Sequence, residues 1–226
     1  VGYAILGRII EKISGESYEE YVRKNVLYPI GIRNMRIGRS YPKDKYPDEV
    51  MYYDVWDAKR TPAFDNPNQY VFKPEGGHDI YTLGAAGGWV ATSVDILRFI
   101  LCIDGLPAVP DILSQKSITQ MVLNDDKYDP IGWRFADARS WIRTGTLAGT
   151  SAVAVRDGNG FCWVVLTNTS SWTGSMFPFK IYYFMRDLIE KEHLKWTMDY
   201  DFFETSRYTQ PINIRRDNLQ IEKKRK

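Results

Sequence analysis

The sequence has few of the residues that build metal centres and disulfide frameworks. Its 226 residues include two cysteines, Cys102 and Cys162, and two histidines, His78 and His193. Each cysteine lies in an apolar segment and neither has metal-ligand spacing. We therefore expect two buried free thiols, with a disulfide between them as the alternative, and we expect no metal site and no cofactor.

Long hydrophobic runs are also missing. No stretch reaches the roughly 18 apolar residues that a membrane-spanning helix needs, and no signal peptide is visible. Apolar residues still make up 44% of the chain, which is enough for a globular core. The sequence therefore predicts one large or two small globular domains and no membrane span in this chain.

A large excess of either charge is absent, since the net charge is only +2. The charge is uneven, because from Ser206 onward seven basic residues face two acidic ones, which gives the tail +5 and the rest −3. Such a tail could bind nucleic acid, but a solvated or linker-like end is its more usual meaning. We predict a polar basic tail over residues 199–226, a folded part over residues 1–198, and no nucleic-acid partner.

The clearest pattern is a predicted sheet with three strands, Arg139–Arg143, Thr150–Arg156 and Phe161–Leu166. Asp157-Gly158-Asn159-Gly160 between the last two is a strong hairpin signal, because Asp-Gly and Asn-Gly pairs accept positive φ. The first strand ends in Arg143-Thr144-Gly145, where a cation, a hydroxyl and a glycine could bind a carboxylate or an oxyanion. On spacing alone, an ordinary strand end followed by a turn is the more common meaning.

Helical periodicity dominates elsewhere. Apolar residues at Ile5, Ile9, Ile10 and Ile13 predict a helix over Val1–Ile13 that Gly15 ends. The other predicted helices run from the Ser17 cap to Leu27, over Val94–Ile103 after a Thr92/Asp95 capping box, from Ser114 to Leu123, and from Gly174 to His193. Ile131–Phe135 is predicted to begin the sheet. Helices and loops, then an antiparallel sheet, then a covering helix indicate an α+β fold.

The segment Met35–Gly84 is rich in Tyr, Pro, Asp and Asn and shows little periodicity. Its many aromatic residues argue against disorder, so we predict an ordered loop region that lines a cleft. His78 could reach such a cleft, although a lone histidine is more often structural. The glycine-rich stretch Gly84–Trp89 lacks the Gly-Lys-Ser/Thr ending of a phosphate loop and predicts instead a tight backbone passage beside a site.

Several segments in the right order resemble the serine β-lactamase and penicillin-binding protein superfamily, in particular its class C β-lactamase, DD-peptidase and esterase branch. VGYAILGRIIEKISGESYEEYV followed by LYPIGI is similar to the segment after that superfamily's second active-site motif. AAGGWVATSVDILRF, IGWRF, RTGTLAGT and VVLTN are similar to later segments, and RTG occupies the place of its third motif, Lys/His-Thr-Gly.

This resemblance implies roles for four residues. Arg143 takes the Lys/His position and would bind the substrate carboxylate with Thr144 and Gly145, and the Thr146 N–H would donate to the oxyanion hole, with Thr144 beside it. Arg143 departs from the pattern: arginine keeps the charge but gives up no proton near neutral pH, which favours carboxylate binding over proton transfer. The implied substrates are β-lactams, D-Ala-D-Ala peptides or esters, and the implied location is periplasmic or otherwise extracytoplasmic.

Two other motifs of that superfamily, Ser-x-x-Lys and Tyr-x-Asn, have no clear counterpart. The sole Ser-x-x-Lys, Ser40-Tyr41-Pro42-Lys43, follows the helix pair instead of preceding it and contains a proline, so we interpret it as a chance match. Because Tyr-x-Asn would end just before Val1, we expect a C-terminal portion of a serine hydrolase domain, inactive alone, whose partner is the N-terminal part of its own domain. The alternative is a non-catalytic relative that binds peptide or glycan.

Overall fold

The computed structural model describes residues 1–125, 127–158 and 160–191, and the predicted basic tail and His193 lie outside them. Six α-helices lie in the described part: α1 (Gly2–Ser14), α2 (Tyr18–Val22), α3 (Ile80–Gly87), α4 (Ser93–Leu101), α5 (Gln115–Met121) and α6 (Phe177–Lys191). Eight strands accompany them: β1 (Arg36–Ile37), β2 (Thr61–Pro62), β3 (Tyr70–Val71), β4 (Trp89–Val90), β5 (Phe135–Ala136), β6 (Ser140–Leu147), β7 (Thr150–Asp157) and β8 (Cys162–Thr167).

The helix signals in the sequence act where they were predicted. Gly15 ends α1 with φ 73°, in the left-handed region that glycine adopts without strain. Ser17 accepts the Glu20 N–H at the start of α2. Thr92 and Asp95 form a complete capping box at α4. The predicted second helix changes its winding, because α2 passes into a π-helical turn and then a 3₁₀ turn that ends at Ile30.

The apolar stripe of α1 does not face the protein core in the described structure. Ile5, Ile9 and Ile13 are exposed, whereas Gly7 is buried against α3 and Tyr18. A Cβ at Gly7 would lie 2.6 Å from the Ala85 Cβ, so the glycine lets the two helices approach closely. The apolar periodicity predicted the helix correctly, but α1 packs against α3 through the face that carries Gly7 and not through its isoleucine stripe.

The main sheet has four antiparallel strands in the order β5–β6–β7–β8. Two-residue pairs, β1 with β4 and β2 with β3, form separate small sheets. The predicted strand Arg139–Arg143 was too short at its C-terminal end, because β6 continues to Leu147 and pairs with β7 along its whole length. Ile131–Phe135 was too early as a strand, because Gly132 has φ 80° and pairing begins at Phe135.

Each face of the main sheet packs against helices. Trp141 and Ala136 pack with Ile100, Ile103 and other apolar residues of the α4–α5 side. Ile142, Val153 and Val155 pack on the opposite face with Ile181 and Tyr182 of α6. Alternate residues of each strand therefore serve opposite layers, as a pleated strand requires. The predicted α+β class, an antiparallel sheet flanked by helices, is confirmed.

Both cysteines are free thiols, as predicted. Cys102 is fully buried in a cluster with Leu27, Ile30 and Ile32, whereas Cys162 is half-buried against the α4–α5 side of the sheet. Burial raises the pKa of Cys102 to about 11 and that of Cys162 to about 12. These thiols are core residues, and the alternative of a disulfide between them is wrong.

Candidate functional site

The four residues singled out by their sequence, Arg143 to Thr146, lie in the interior of β6 and not at its end. β5 pairs only with Trp141 and Ile142 of this strand. From Arg143 onward, β6 has β7 on one side and no paired strand on the other among the residues that the structure describes. An open strand edge therefore begins at the first of the four residues.

The hydrogen bonds of the β5–β6 hairpin show which backbone groups face that edge. The Ser140 carbonyl accepts from the Asp137 N–H at 3.1 Å, and the Ile142 carbonyl accepts from the Arg134 N–H at 2.8 Å. In an antiparallel strand every second residue directs its N–H and C=O to the same side. The backbone groups of Thr144 and Thr146 therefore point to the open edge, away from β7.

The side chains of β6 divide between the two faces of the sheet. Thr144 and Thr146 share the α6 face with Ile142, and Arg143, Gly145 and Leu147 share the other face with Trp141. A Cβ at Gly145 would meet only the Ala152 Cβ, at 3.9 Å, so the space in front of this glycine is open. On the face of the sheet that carries Arg143, the space above the neighbouring residue Gly145 is therefore free.

The Arg143 guanidinium is exposed and lies beside the first turn of α1. Its carbon is 5.9 Å from the centre of the Tyr3 ring, a cation–π distance. The Tyr3 hydroxyl in turn accepts the Gly132 N–H at 2.7 Å, which ties the start of α1 to the loop before β5. The start of α1 and the open edge of β6 therefore face each other across the Arg143 side chain.

A cleft adjoins the other end of this edge. Leu147, Ala148 and Thr150 line it together with residues between 38 and 90. Those up to Ile80 belong to the aromatic loop region, Met35–Gly84, that the sequence predicted to line a cleft. The lining outside β6 and β7 consists of Gly38, Arg39, Lys45, Glu49, Tyr52, Lys73, Pro74, His78, Ile80, Gly87, Gly88, Trp89 and Val90. His78 reaches this cleft, whereas Arg143 does not line it.

Charged side chains in the cleft are partly paired. The Lys45 Nζ lies 3.5 Å from the Glu49 carboxylate, with the Lys45 side chain 13% exposed and that of Glu49 2% exposed. Burial, followed by the charge of Glu49, raises the pKa of Tyr52. Burial, followed by the charge of Lys73, lowers the pKa of His78, which keeps its imidazole neutral at pH 7.

The Ser40–Lys43 segment shows no nucleophile–base geometry. The Ser40 Oγ accepts the N–H of Ile80 at 3.1 Å, at the start of α3. Pro42–Asp44 is a single 3₁₀ turn, and the exposed Lys43 lies 5.7 Å from the Tyr41 ring. This arrangement agrees with the interpretation of Ser40-Tyr41-Pro42-Lys43 as a chance match.

The glycine-rich stretch contains a helix that sequence reasoning missed. Gly84–Gly87 is the last turn of α3, whose start is capped by the Asp79 carboxylate accepting the Thr82 N–H. Gly88 then passes so close that a Cβ there would lie 2.5 Å from the Ile80 carbonyl oxygen. The predicted tight passage is therefore at Gly88, and Asp79 with Thr82 three residues later was the signal for the helix.

The family of this chain follows from a comparison of its sequence with known families. The family model described as Beta-lactamase matches residues 1–178. The chain belongs to the beta-lactamase family. A curated protein named as a penicillin-binding protein, PbpX of Bacillus subtilis (strain 168), is 29% identical over 121 residues, which are 53% of this chain and 26% of PbpX.

Solved structures share the fold of this beta-lactamase-family chain. FmtA from Staphylococcus aureus matches with a TM-score of 0.61 and 15% identity, over 88% of this chain and 50% of FmtA. A penicillin-binding protein from Bacillus halodurans matches with a TM-score of 0.53 and 18% identity, over 81% of this chain and 54% of that protein. The D-amino acid amidase from Ochrobactrum anthropi SV3, complexed with D-phenylalanine, matches with a TM-score of 0.51 and 21% identity, over 75% and 50%.

The chain spans about half the length of these solved structures and about a quarter of PbpX. None of the helices that the structure describes has the length and hydrophobicity of a membrane span. The described residues hold no cluster of His, Cys, Asp and Glu that could bind a metal ion.

Proposed function

We propose that this chain supplies the substrate-binding strand of a serine acyl-transfer hydrolase that acts on β-lactams, D-Ala-D-Ala peptides or esters outside the cytoplasm. In this proposal Arg143 binds the substrate carboxylate with Thr144 and Gly145, and the Thr146 N–H stabilises the oxyanion. The catalytic serine is not among these 226 residues, so the chain alone has no acylating activity. The fragment needs the N-terminal part of its own domain as a partner.

The open edge of β6 is the observation that carries the proposal. An oxyanion is stabilised most effectively by a donor that is fixed in place before the reaction, and the Thr146 N–H is fixed by the pairing of β6 with β7. Arg143 lies three residues earlier, about 10 Å along the strand, so an extended substrate can contact both residues. Arginine binds carboxylates through two parallel hydrogen bonds and stays charged near neutral pH.

The first experiment tests for acylation by mass. The chain is incubated with benzylpenicillin and with a D-Ala-D-Ala ester, and the intact mass is measured over time. We expect no adduct, because Ser40 accepts a hydrogen bond from the backbone of α3 and has no lysine base on a shared helical face. A stoichiometric adduct at Ser40 would contradict the proposed inactivity of the chain.

The second experiment tests the strand itself. Binding of N-acetyl-D-Ala-D-Ala to the chain is compared with binding to the R143Q and R143K variants and to R139Q, a matched loss of an exposed arginine in the β5–β6 turn. Loss of a charge-assisted pair is worth about 1.5–3 kcal/mol, so R143Q should weaken binding by roughly 10-fold or more. R143K should recover part of the affinity that R143Q loses, and R139Q should bind the peptide as tightly as the wild type does. Equal binding by R143Q and R139Q would refute the role of Arg143.

A non-catalytic module that binds peptide or glycan is the second candidate. Trp56 and Trp172 are 85% and 67% exposed, and the Trp172 indole N–H donates to the Asp57 carboxylate at 2.8 Å, which joins the two loops that present them. In this second candidate the two exposed indoles would form part of the contact surface for the ligand. The coding sequence upstream of the Val1 codon discriminates the two candidates: Ser-x-x-Lys and Tyr-x-Asn there support the hydrolase, and a different sequence supports the binding module.

A further inference from the structure

We propose that the cleft beside the end of β6 is a binding subsite for a negatively charged group, a carboxylate or a phosphate, joined to a short apolar spacer. Arg39 and Lys73 would supply the charge. The identity of the ligand rests on the proposed function, because we infer that the acyl side of the hydrolase substrate carries this anionic group. The binding property itself is independent of any catalysis.

The cleft has more positive than negative charge. Arg39, Lys45 and Lys73 line it together with one carboxylate, Glu49. Glu49 is already engaged, because Lys45 lies 3.5 Å away and the Tyr46 N–H donates to the second carboxylate oxygen at 3.3 Å. Within the described ranges, neither Arg39 nor Lys73 takes part in an ion pair. Two cations of the lining are therefore not neutralised by the protein itself.

The position of Arg39 is fixed without using up its charge. One guanidinium nitrogen donates to the carbonyl oxygens of Ile37 and Gly38, at 3.0 and 3.3 Å. The guanidinium carbon also lies 5.4 Å from the centre of the Tyr46 ring and 5.5 Å from that of Tyr81. These contacts are neutral, so they orient the cation and leave it able to attract an anion.

The lining also contains apolar side chains, those of Ile80, Trp89, Val90 and Leu147. A ligand that uses both kinds of lining combines an apolar segment with an anionic end, since the apolar side chains favour the first and the cations attract the second. The neutral imidazole of His78 lies in the same lining and adds one hydrogen-bond donor and one acceptor.

The cleft is adjacent to the open edge of β6. Leu147 and Ala148, which line it, directly follow Thr146 in the chain. Arg143 lies four residues before Leu147, about 13 Å along the strand. A substrate whose carbonyl lies at Thr146 would therefore extend one end towards Arg143 and the other into the cleft. Such a substrate carries a negative charge at each end.

The test uses the 226-residue chain and two probes of the same size, glutarate and its neutral diamide, glutaramide. Binding is followed by NMR through the imidazole C–H signals of His78, which are assigned with H78Q, since the chain contains two histidines. We expect glutarate to shift the His78 signals with saturation and to bind more weakly as salt rises, and glutaramide to leave them unchanged. Methyl phosphate, titrated in parallel, shows whether the cleft prefers a carboxylate or a phosphate.

The variants K73Q, R39Q and K116Q identify the residues responsible. Lys73 is exposed, so K73Q should fold normally and weaken glutarate binding by about threefold, the effect of one solvent-exposed charge. R39Q should weaken it further, and K116Q, an exposed lysine of α5, should leave it unchanged. Equal shifts with glutarate and glutaramide, a linear titration with both anions, or equal effects of K73Q and K116Q would overturn the proposal.

The two proposals can fail separately. Anion binding in the cleft by a chain whose parent shows no acyl transfer would support the subsite and contradict the hydrolase. Normal binding of N-acetyl-D-Ala-D-Ala through Arg143, without any glutarate effect at His78, would contradict the subsite and leave the hydrolase standing.

Discussion

Replacing Gly149 by alanine should distort the candidate site and destabilise the chain. Gly149 lies in the two-residue turn between β6 and β7 and has φ 81°, in the left-handed region. A Cβ at this position would lie 2.8 Å from the Tyr52 Cβ and 2.9 Å from the Pro74 Cγ, and both of those residues line the cleft. The Gly149 N–H also donates to the Ser170 Oγ at 2.7 Å, so the turn cannot move away freely.

The expected size of the effect follows from two costs. A left-handed conformation costs an L-residue about 1–2 kcal/mol, and forcing an extra carbon into a packed site costs about 1–3 kcal/mol. We therefore expect G149A to lower the free energy of unfolding by about 3 kcal/mol. For a chain of this size that corresponds to a Tm lower by about 6–12 °C, measurable by circular dichroism.

G145A is the matched control, a glycine-to-alanine change four residues earlier in β6. Gly145 has no positive φ, and its added Cβ would make only one ordinary contact, at 3.9 Å. Its free energy of unfolding should stay unchanged or rise by up to about 1 kcal/mol, because alanine restricts the unfolded chain more than glycine does. A Tm of G149A equal to that of the wild type, or a larger loss in G145A than in G149A, would refute this account of how the turn packs against the cleft wall.

Three further predictions concern groups in the core. Burial raises the pKa of Cys102 to about 11 and that of Cys162 to about 12. The thiols of the native chain should therefore react with Ellman's reagent at pH 8 only as fast as the chain unfolds. Rapid labelling of both thiols without urea would contradict this prediction. Among the residues that the structure describes, the Ser151 Oγ is buried without a hydrogen-bond partner. S151A should therefore leave the free energy of unfolding unchanged or raise it by up to about 1 kcal/mol in urea unfolding, and a clear loss would contradict this. Burial raises the pKa of Asp104 and of Asp111, so the native state favours their protonated forms and gains stability from them as the pH falls through the raised values towards 3.8. D111N should therefore be more stable than the wild type at pH 7 by a margin that narrows as the pH is lowered towards 3.8, and a margin that widens would show the opposite sign of the shift.

Local signals were sufficient for most of the fold. The caps at Ser17 and Thr92 and the left-handed Gly15 act through hydrogen bonds within four residues, so they can be identified from the sequence alone. The β7–β8 hairpin has the same local origin. The C-terminal end of β6 was missed because Thr144-Gly145-Thr146 has no hydrophobic alternation, and its strand conformation comes from pairing with β7.

The cleft could be predicted only in outline. The aromatic and proline content of the loop region indicated an ordered wall, but not which polar residues line it. Lys45 and Glu49 meet because they are four residues apart, whereas Lys73 and Leu147 come together through long-range packing. A single sequence contains no direct signal for such contacts, so Arg39 and Lys73 were identified only from the structure.

Arg143 limits the chemistry that β6 could perform in the proposed hydrolase. An arginine side chain is a poor proton donor or acceptor near neutral pH, so the strand can contribute fixed charge and backbone donors but no general base. Proton transfer would then depend on residues outside the strand, and Arg143 itself would cause no change in carboxylate binding between pH 6 and 9. We expect carboxylate binding by the wild type to be independent of pH over that range. In an R143H variant binding should weaken as the pH rises through the ordinary histidine pKa of about 6.5, and that result would show that residue 143 supplies the charge. A wild-type profile that falls over the same range would mean that a titrating group, and not Arg143, holds the carboxylate.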